Sequence, residues 1–277
     1  MKVFHYRQTL ENHLQQATKP IGFVPTMGAL HEGHVSLVAQ AAALSNEVVV
    51  SIFVNPRQFN NVDDLFKYPR QLVQDLKILE NSGATSVFIP NSDQIYASEA
   101  QIQLDLGNLN GVFEGEFRPG HFQGVADVVH SFFSIVKPNH VFFGLKDLQQ
   151  CMVIEKLIAT HFPSIIQHNC PTLRETSGLA KSSRNQRLSK EGLVQAATIY
   201  RELTRIANSG PEIGLEIQDS MRLLLGEGIE TEYLALLNLP SFEQSTQRNP
   251  HARQALVFAG YLEGVRLIDN LLLPVAE

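Results

Sequence analysis

The chain has 277 residues, 44% of them hydrophobic and 18% charged, enough for one large or two modest domains with ample core. Its 22 basic and 28 acidic side chains give a formal charge of −6, which argues against bulk nucleic-acid binding through a basic surface but leaves room for one anionic nucleotide in a locally basic pocket. No apolar run reaches membrane-spanning length, and Met1-Lys2-Val3-Phe4-His5 does not read as a signal peptide. The only cysteines, Cys151 and Cys170, lack zinc-site spacing and a disulfide framework; they read as two buried thiols in a reducing, cytoplasmic compartment.

In chain order, Ile21–Val24 is a strand candidate, and a helix follows from about His34, with Val35, Val38, Ala39 and Ala42 on one face. Residues Glu47 to Val54 are rich in β-branched side chains and predict a central strand. Leu72, Leu76 and Leu79 mark a helix that stops at Asn81-Ser82-Gly83. The strand Ser86–Ile89, a helix around Val125–Ile135, the strand His140–Phe143, a helix from Asp147 to about Thr160 and the strand Ile165–Asn169 complete the alternation. Such alternation implies an α/β fold, a parallel sheet with helices on both faces, whose ligands sit at the carboxyl ends of the strands. The texture changes after about Leu173. Helices around Leu193–Ala207 and Leu215–Leu225, broken by Asn208-Ser209-Gly210-Pro211, precede strands near Tyr233–Leu237, Leu256–Ala259 and Gly264–Ile268. This predicts a first domain over residues 1–173 and a smaller C-terminal α+β domain over 174–277.

Three polar motifs directly follow predicted strands: Thr26–His34, Asn55–Phe59 and Gly144–Asp147. Within the first, His31 and His34 sit where strand turns into helix. The junction is expected to offer open backbone N–H groups and the positive end of the helix dipole to an anion such as phosphate. The two imidazoles face one side if the helix has begun by His31, and could stabilise charge developing during transfer; the competing reading is two solvated histidines in a glycine-rich loop. Lys146 follows a strand and begins a helix, as a point charge suited to a phosphate oxygen. Gln150, four residues on, is expected on the same helical face. A polar, basic segment, Ser177 to Arg187, carries Lys181, Arg184 and Arg187.

Several blocks in order carry a family resemblance: Pro25–His34, Phe53-Val54-Asn55-Pro56-Arg57-Gln58-Phe59, Tyr68-Pro69-Arg70, Arg118-Pro119-Gly120-His121-Phe122, Phe143-Gly144-Leu145-Lys146-Asp147, Gly178-Leu179-Ala180, Ser182-Ser183-Arg184-Asn185 and Arg266-Leu267-Ile268-Asp269-Asn270. Over nearly its whole length the chain resembles the pantothenate synthetase, or pantoate–β-alanine ligase, family. The resemblance implies a Rossmann-like nucleotide-binding domain, a C-terminal lid domain and a homodimer. It implies ATP-dependent joining of (R)-pantoate to β-alanine through pantoyl adenylate, with release of pyrophosphate and AMP. Met27, Gly28, His31 and His34 match the first ATP-binding block, with His34 the usual assigned proton donor. Gly144, Lys146 and Asp147 match the second, and Lys181, Ser182, Ser183 and Arg184 the third, with Leu173 bordering adenine. His34, His31 and Lys146 are then the catalytic candidates. Gln58 and Gln150 match the glutamines that hold pantoate, Gln58 also bordering β-alanine. Mg²⁺ is expected with ATP; its protein ligands are unassigned, with Asp75 a candidate beside the favoured reading of a solvated helix carboxylate.

The sequence departs from the common family pattern at Ser177, where an aspartate is frequent, at Lys181 in place of an aliphatic residue, and at Leu145 in place of glutamate. Arg57 stands where a small or apolar residue is common, and Asp127 replaces a frequent threonine. Lys181 could add a phosphate contact or be a solvated loop lysine, the second reading being slightly favoured. Two rival readings stand beside the resemblance. A related H-x-G-H nucleotidyltransferase with another acceptor is usually shorter and lacks the Gln58 and Gln150 blocks. A tRNA-binding fragment of a class I synthetase is disfavoured by the acidic balance.

Overall fold

The computed structural model describes residues 1–60, 62–96 and 102–275. They form two compact units, Met1–Leu145 with Gln149–Pro171, and Lys146–Leu148 with Thr172–Glu277.

The first unit is built on a six-stranded sheet of β1 (Lys2–Phe4), β2 (Ile21–Thr26), β3 (Glu47–Ile52), β4 (Ser86–Phe88), β5 (His140–Gly144) and β6 (Ile166–Cys170), in the order β1-β4-β3-β2-β5-β6. Every pair is parallel, so each connection must cross over. The crossovers carry α1 (Arg7–Leu14), α2 (Glu32–Leu44), α3 (Val62–Lys67), α4 (Leu72–Glu80), α5 (Ser92–Ile95), α6 (Glu114–Phe117), α7 (His121–Val136) and α8 (Leu148–His161).

Alternation along the central strands feeds two cores. Phe23 meets Phe132 and Phe133 of α7 on one face. Val24 and Val50 pack with Val38 and Ala41 of α2 and Leu79 of α4 on the other. Each such fully buried side chain contributes about 1.5–3 kcal/mol. Because β3, β2 and β5 are parallel neighbours, their carboxyl ends, Ile52, Thr26 and Gly144, open on one edge of the sheet.

The second unit has α9 (Lys190–Ala207) and α10 (Gly214–Gly226) and an antiparallel sheet of β7 (Glu230–Asn238), β8 (Glu243–Ser245), β9 (Gln254–Leu262) and β10 (Val265–Leu272), ordered β10-β9-β7-β8. Ile199, Leu203 and Ile206 of α9 and Leu224 of α10 share a core with Leu236, Leu256 and Phe258 of the sheet. Glu263 and Gly264, with φ of +51° and +71°, make the two-residue turn that joins β9 to β10, a conformation for which glycine is suited.

The predicted strands and helices are present with ends shifted by a few residues. Missing from the sequence reading are the three-residue strands β1 and β8 and the helices α1, α3, α5 and α6. Among the described residues no helix is long and apolar enough to cross a membrane.

Candidate active site

β2 ends at Thr26, whose Oγ1 donates to the Ser51 carbonyl at 2.7 Å and accepts from the Gly28 amide at 3.2 Å. Gly28 and Ala29 then take left-handed conformations, with φ of +77° and +49°. A Cβ at Gly28 would lie 2.9 Å from Asp75 Oδ2 and 3.1 Å from Ile52 Cγ2, so space and backbone both require glycine here. The two residues turn successive amides inward: Ala29 N–H donates to Asp75 Oδ2 at 3.0 Å and Leu30 N–H to Asp75 Oδ1 at 2.8 Å. Asp75, on α4, is 1% exposed. Burial pushes its carboxyl above the usual carboxylate range, and the two amide bonds oppose that shift. It is therefore no solvated helix carboxylate. Both of its oxygens accept from backbone amides, so it anchors the loop. Among the described residues no three of His, Cys, Asp and Glu gather as a metal site.

His31 is the N-cap of α2, in extended conformation, and the helix begins at Glu32. His31 Nδ1 accepts the Gly33 amide at 3.1 Å, and His34 Nδ1 accepts the His31 amide at 3.3 Å. The rings lie 4.1 Å apart, centroid to centroid. The expectation of open amides at this junction is thus corrected: Asp75 and the histidines themselves take them. A neutral imidazole that accepts through Nδ1 carries its proton on Nε2. The loop therefore supplies imidazole N–H donors at the positive end of the α2 dipole.

Behind β3, Pro56–Gln58 form a 3-10 turn capped by buried Asn55. Gln58 Nε2 lies 2.9 Å from Met27 Sδ, and its Oε1 accepts from Asn55 Nδ2 at 3.1 Å. The structure thus brings Gln58 against Met27 of the histidine loop. The turn is pressed onto α7, where a Cβ at Gly124 would fall 2.3 Å from the Arg57 carbonyl oxygen. The Gln58 carbonyl accepts from Arg118 Nη2 at 3.2 Å and lies 2.8 Å from His121 Nδ1. The Arg118–Phe122 block, to which the sequence assigned no role, fastens this turn. Gly144 closes β5, and Gln150 is half-buried in the first turn of α8. Both cysteines are buried, as expected, and burial pushes the Cys170 thiol up to about 11.

The remaining candidates lie in the second unit. Lys146 and Asp147 belong to a 3-10 turn, Leu145–Asp147, and α8 starts only at Leu148. Lys146 and Gln150 therefore do not share an α-helical face, correcting that expectation. Lys146 Nζ lies 3.4 Å from Asp147 Oδ1, and its carbonyl accepts from Asn270 Nδ2 at 2.8 Å. Asp269, on the inward face of β10, receives both guanidinium nitrogens of Arg174 at 2.7 and 2.9 Å. Burial pushes the Asp269 carboxyl up, and Arg174 acts against it. Arg174 also donates to the carbonyls of Gly178 and Asn270 and lies 3.7 Å over the Tyr200 ring. Ser182 caps the 3-10 turn Ser183–Arg187, accepting the Arg184 amide at 3.3 Å. Lys181 pairs with Glu175 at 2.8 Å, which corrects the solvated-loop reading. Leu173 is partly exposed, and Ser183 is buried.

The family model for pantoate-beta-alanine ligase matches residues 2–272. The chain belongs to the pantoate–β-alanine ligase family. Like the family, it is a ligase. It is 42% identical over 275 residues to the pantothenate synthetase of Cytophaga hutchinsonii, covering 96% of this chain and 97% of that protein. Among solved structures, a pantothenate synthetase from Thermus thermophilus is 34% identical with a TM-score of 0.90, over 98% of this chain and 99% of that one. A pantoate–β-alanine ligase from Francisella tularensis, described as complexed with β,γ ATP and β-alanine, is 34% identical with a TM-score of 0.83, over 98% and 97%.

Proposed function

We propose that the chain joins (R)-pantoate to β-alanine with ATP, in two steps. The pantoate carboxylate attacks the α-phosphorus and displaces pyrophosphate, giving pantoyl adenylate. The β-alanine amine then attacks the acyl carbon and displaces AMP. Adenylyl transfer between bound partners needs positioning and positive charge more than covalent help from the protein. On this reading the Nε2–H groups of His31 and His34 and the ammonium of Lys146 stabilise charge on the phosphates. Met27, Gly28, Gly144, Asp147, Leu173, Lys181 and Ser182–Arg184 complete ATP binding. Gln58 and Gln150 orient pantoate, since an amide can bind hydroxyl or carboxylate without the desolvation of another charge.

The observation that carries the reading is the contact of the Gln58 amide with Met27 of the histidine loop. On this reading the contact supports a neutral substrate-orienting amide working next to the loop that would bind phosphate. Mg²⁺ would enter with the triphosphate, whose oxygens suit it, and no step is drawn through it. The same reading makes residues 1–173 the ATP- and pantoate-binding domain, residues 174–277 the lid, and the enzyme a cytoplasmic homodimer.

Exchange of labelled pyrophosphate into ATP tests the order of events. It should require pantoate and proceed without β-alanine. Exchange that demands β-alanine would overturn the two-step scheme.

A further inference from the structure

Asp127, on α7 one turn beyond Gly124, is only 5% exposed. Its Oδ1 accepts from Gln123 Nε2 at 2.8 Å and from the Ile102 amide at 3.3 Å. Its Oδ2 has no hydrogen-bond partner among the described residues, and Arg57 Nη1 lies 3.8 Å away. A buried carboxylate oxygen left without a donor is costly unless a cation compensates it. Arg57 also lies 3.8 Å over the Tyr96 ring. The Tyr96 hydroxyl donates to Asn55 Oδ1 at 2.5 Å. Burial pushes that hydroxyl up to about 12, with Arg57 acting the other way, so it keeps its proton. Asn55 in turn donates to Gln58 Oε1, which fixes the amide with its Nε2 toward Met27.

The contacts thus run without a break from a buried carboxylate, through a guanidinium, a phenol and an asparagine, to the amide of Gln58. Arg57 and Asp127 are both departures from the common family pattern, and they meet here as a pair of opposite charges. A lone cation at residue 57 or a lone carboxylate at residue 127 would each be unmatched. Together they stiffen the turn that bears Gln58.

We propose that Arg57, Asp127 and Tyr96 are positioning residues that set the Gln58 amide for pantoate. The proposal rests on the reading of Gln58 as a pantoate-binding group, and it assigns the three residues no contact with substrate.

The test is pantoate-dependent pyrophosphate exchange by the full chain, measuring KM for pantoate and for ATP separately. Gln58→Ala is the reference. Tyr96→Phe deletes one hydroxyl and keeps the ring under Arg57. It should raise the pantoate KM about three- to tenfold, the effect of one lost hydrogen bond, and leave the ATP KM within about twofold. Arg57→Leu and Asp127→Thr should each raise the pantoate KM, and the double variant should recover most of the loss, because it removes both charges. Should either single variant fail to fold, Tyr96→Phe and the double variant decide the matter. A normal pantoate KM in Tyr96→Phe, beside a raised one in Gln58→Ala, overturns the relay alone. A normal pantoate KM in Gln58→Ala overturns the reading of Gln58 and the relay with it. A parallel rise in ATP KM in Tyr96→Phe means general loosening of the fold and also overturns the proposal.

Discussion

The two units fasten the loops that carry the candidate site residues with the same group, a buried aspartate, by opposite means. In the first, Asp75 holds the histidine loop through two backbone amides. In the second, Asp269 holds the segment from Arg174 to Gly178 through a bidentate guanidinium. What each unit presents follows the same division. The first carries neutral donors and amides, His31, His34, Gln58 and Gln150; the second carries the cations Lys146, Lys181 and Arg184. Neutral dipoles can orient a ligand or meet developing charge at low desolvation cost, whereas cations answer phosphate charge directly.

The largest effect is expected from breaking the ion pair. Asp269→Ala leaves a largely buried guanidinium without its carboxylate, a loss of about 3–5 kcal/mol in stability, readable as a shift in the urea midpoint. A shift too small to resolve would mean that Arg174 is held by its carbonyl contacts alone. Next comes Lys146→Ala, which should slow adenylation by two to three powers of ten, roughly the cost of one oriented donor at developing charge, while the melting temperature stays near that of the parent. A variant that makes pantoyl adenylate at the parental rate would remove Lys146 from the chemistry.

Asp75→Asn turns an NH₂ toward a backbone N–H, donor against donor, and should cost about 1–3 kcal/mol. It should also slow pyrophosphate exchange, because His31 and His34 ride on the loop it anchors; unaltered exchange would separate the anchor from the chemistry. The smallest effect is one of pH. Nine of the ten histidines lie in the first unit, only His251 in the second. Burial, and then His161 and His140 respectively, lower His130 and His168 below the ordinary value of 6.5. The unfolded chain then binds these protons more readily than the folded one. The stability they contribute is present above about pH 6.5 and is lost as pH falls through their folded values. Acidifying from neutrality should therefore lower the amide protection factors, corrected for the intrinsic exchange rate, in α7, β5 and β6 before it does so in β7 and β9. Equal loss in both units would refute this asymmetry.

Most of the fold is legible because β2 and β3 are near-continuous apolar runs while α7 and α9 carry helical apolar periods. β1 and β8 are too short for a period to register. The burial of Asp75 has a signal in the sequence: it falls on the stripe of Leu72, Leu76 and Leu79, where a carboxylate must be buried and bonded rather than solvated. Asp269 alternates with Val265 and Leu267 on the inward face of β10 in the same way. The capping of α2 by its own histidines is hidden because histidine is not a usual N-cap residue. The pairing of Arg57 with Asp127 lies in tertiary structure alone; the sequence shows two odd residues seventy positions apart, and only the packing of Gly124 against the 56–58 turn makes them neighbours.

The strand order has a consequence for the growing chain. β2 finds β3 soon after synthesis, but its other edge pairs with β5, and the Ile21 amide donates to Asn139, 118 residues onward. Loop-closure entropy must be overcome before that pairing stabilises anything, so this half of the sheet forms late. Until then β2 is an open, apolar edge strand, the kind of surface that recruits strands from other chains. Fragments that stop short of His140 should therefore aggregate on release from the ribosome, and they lack Gly144 and Lys146 as well.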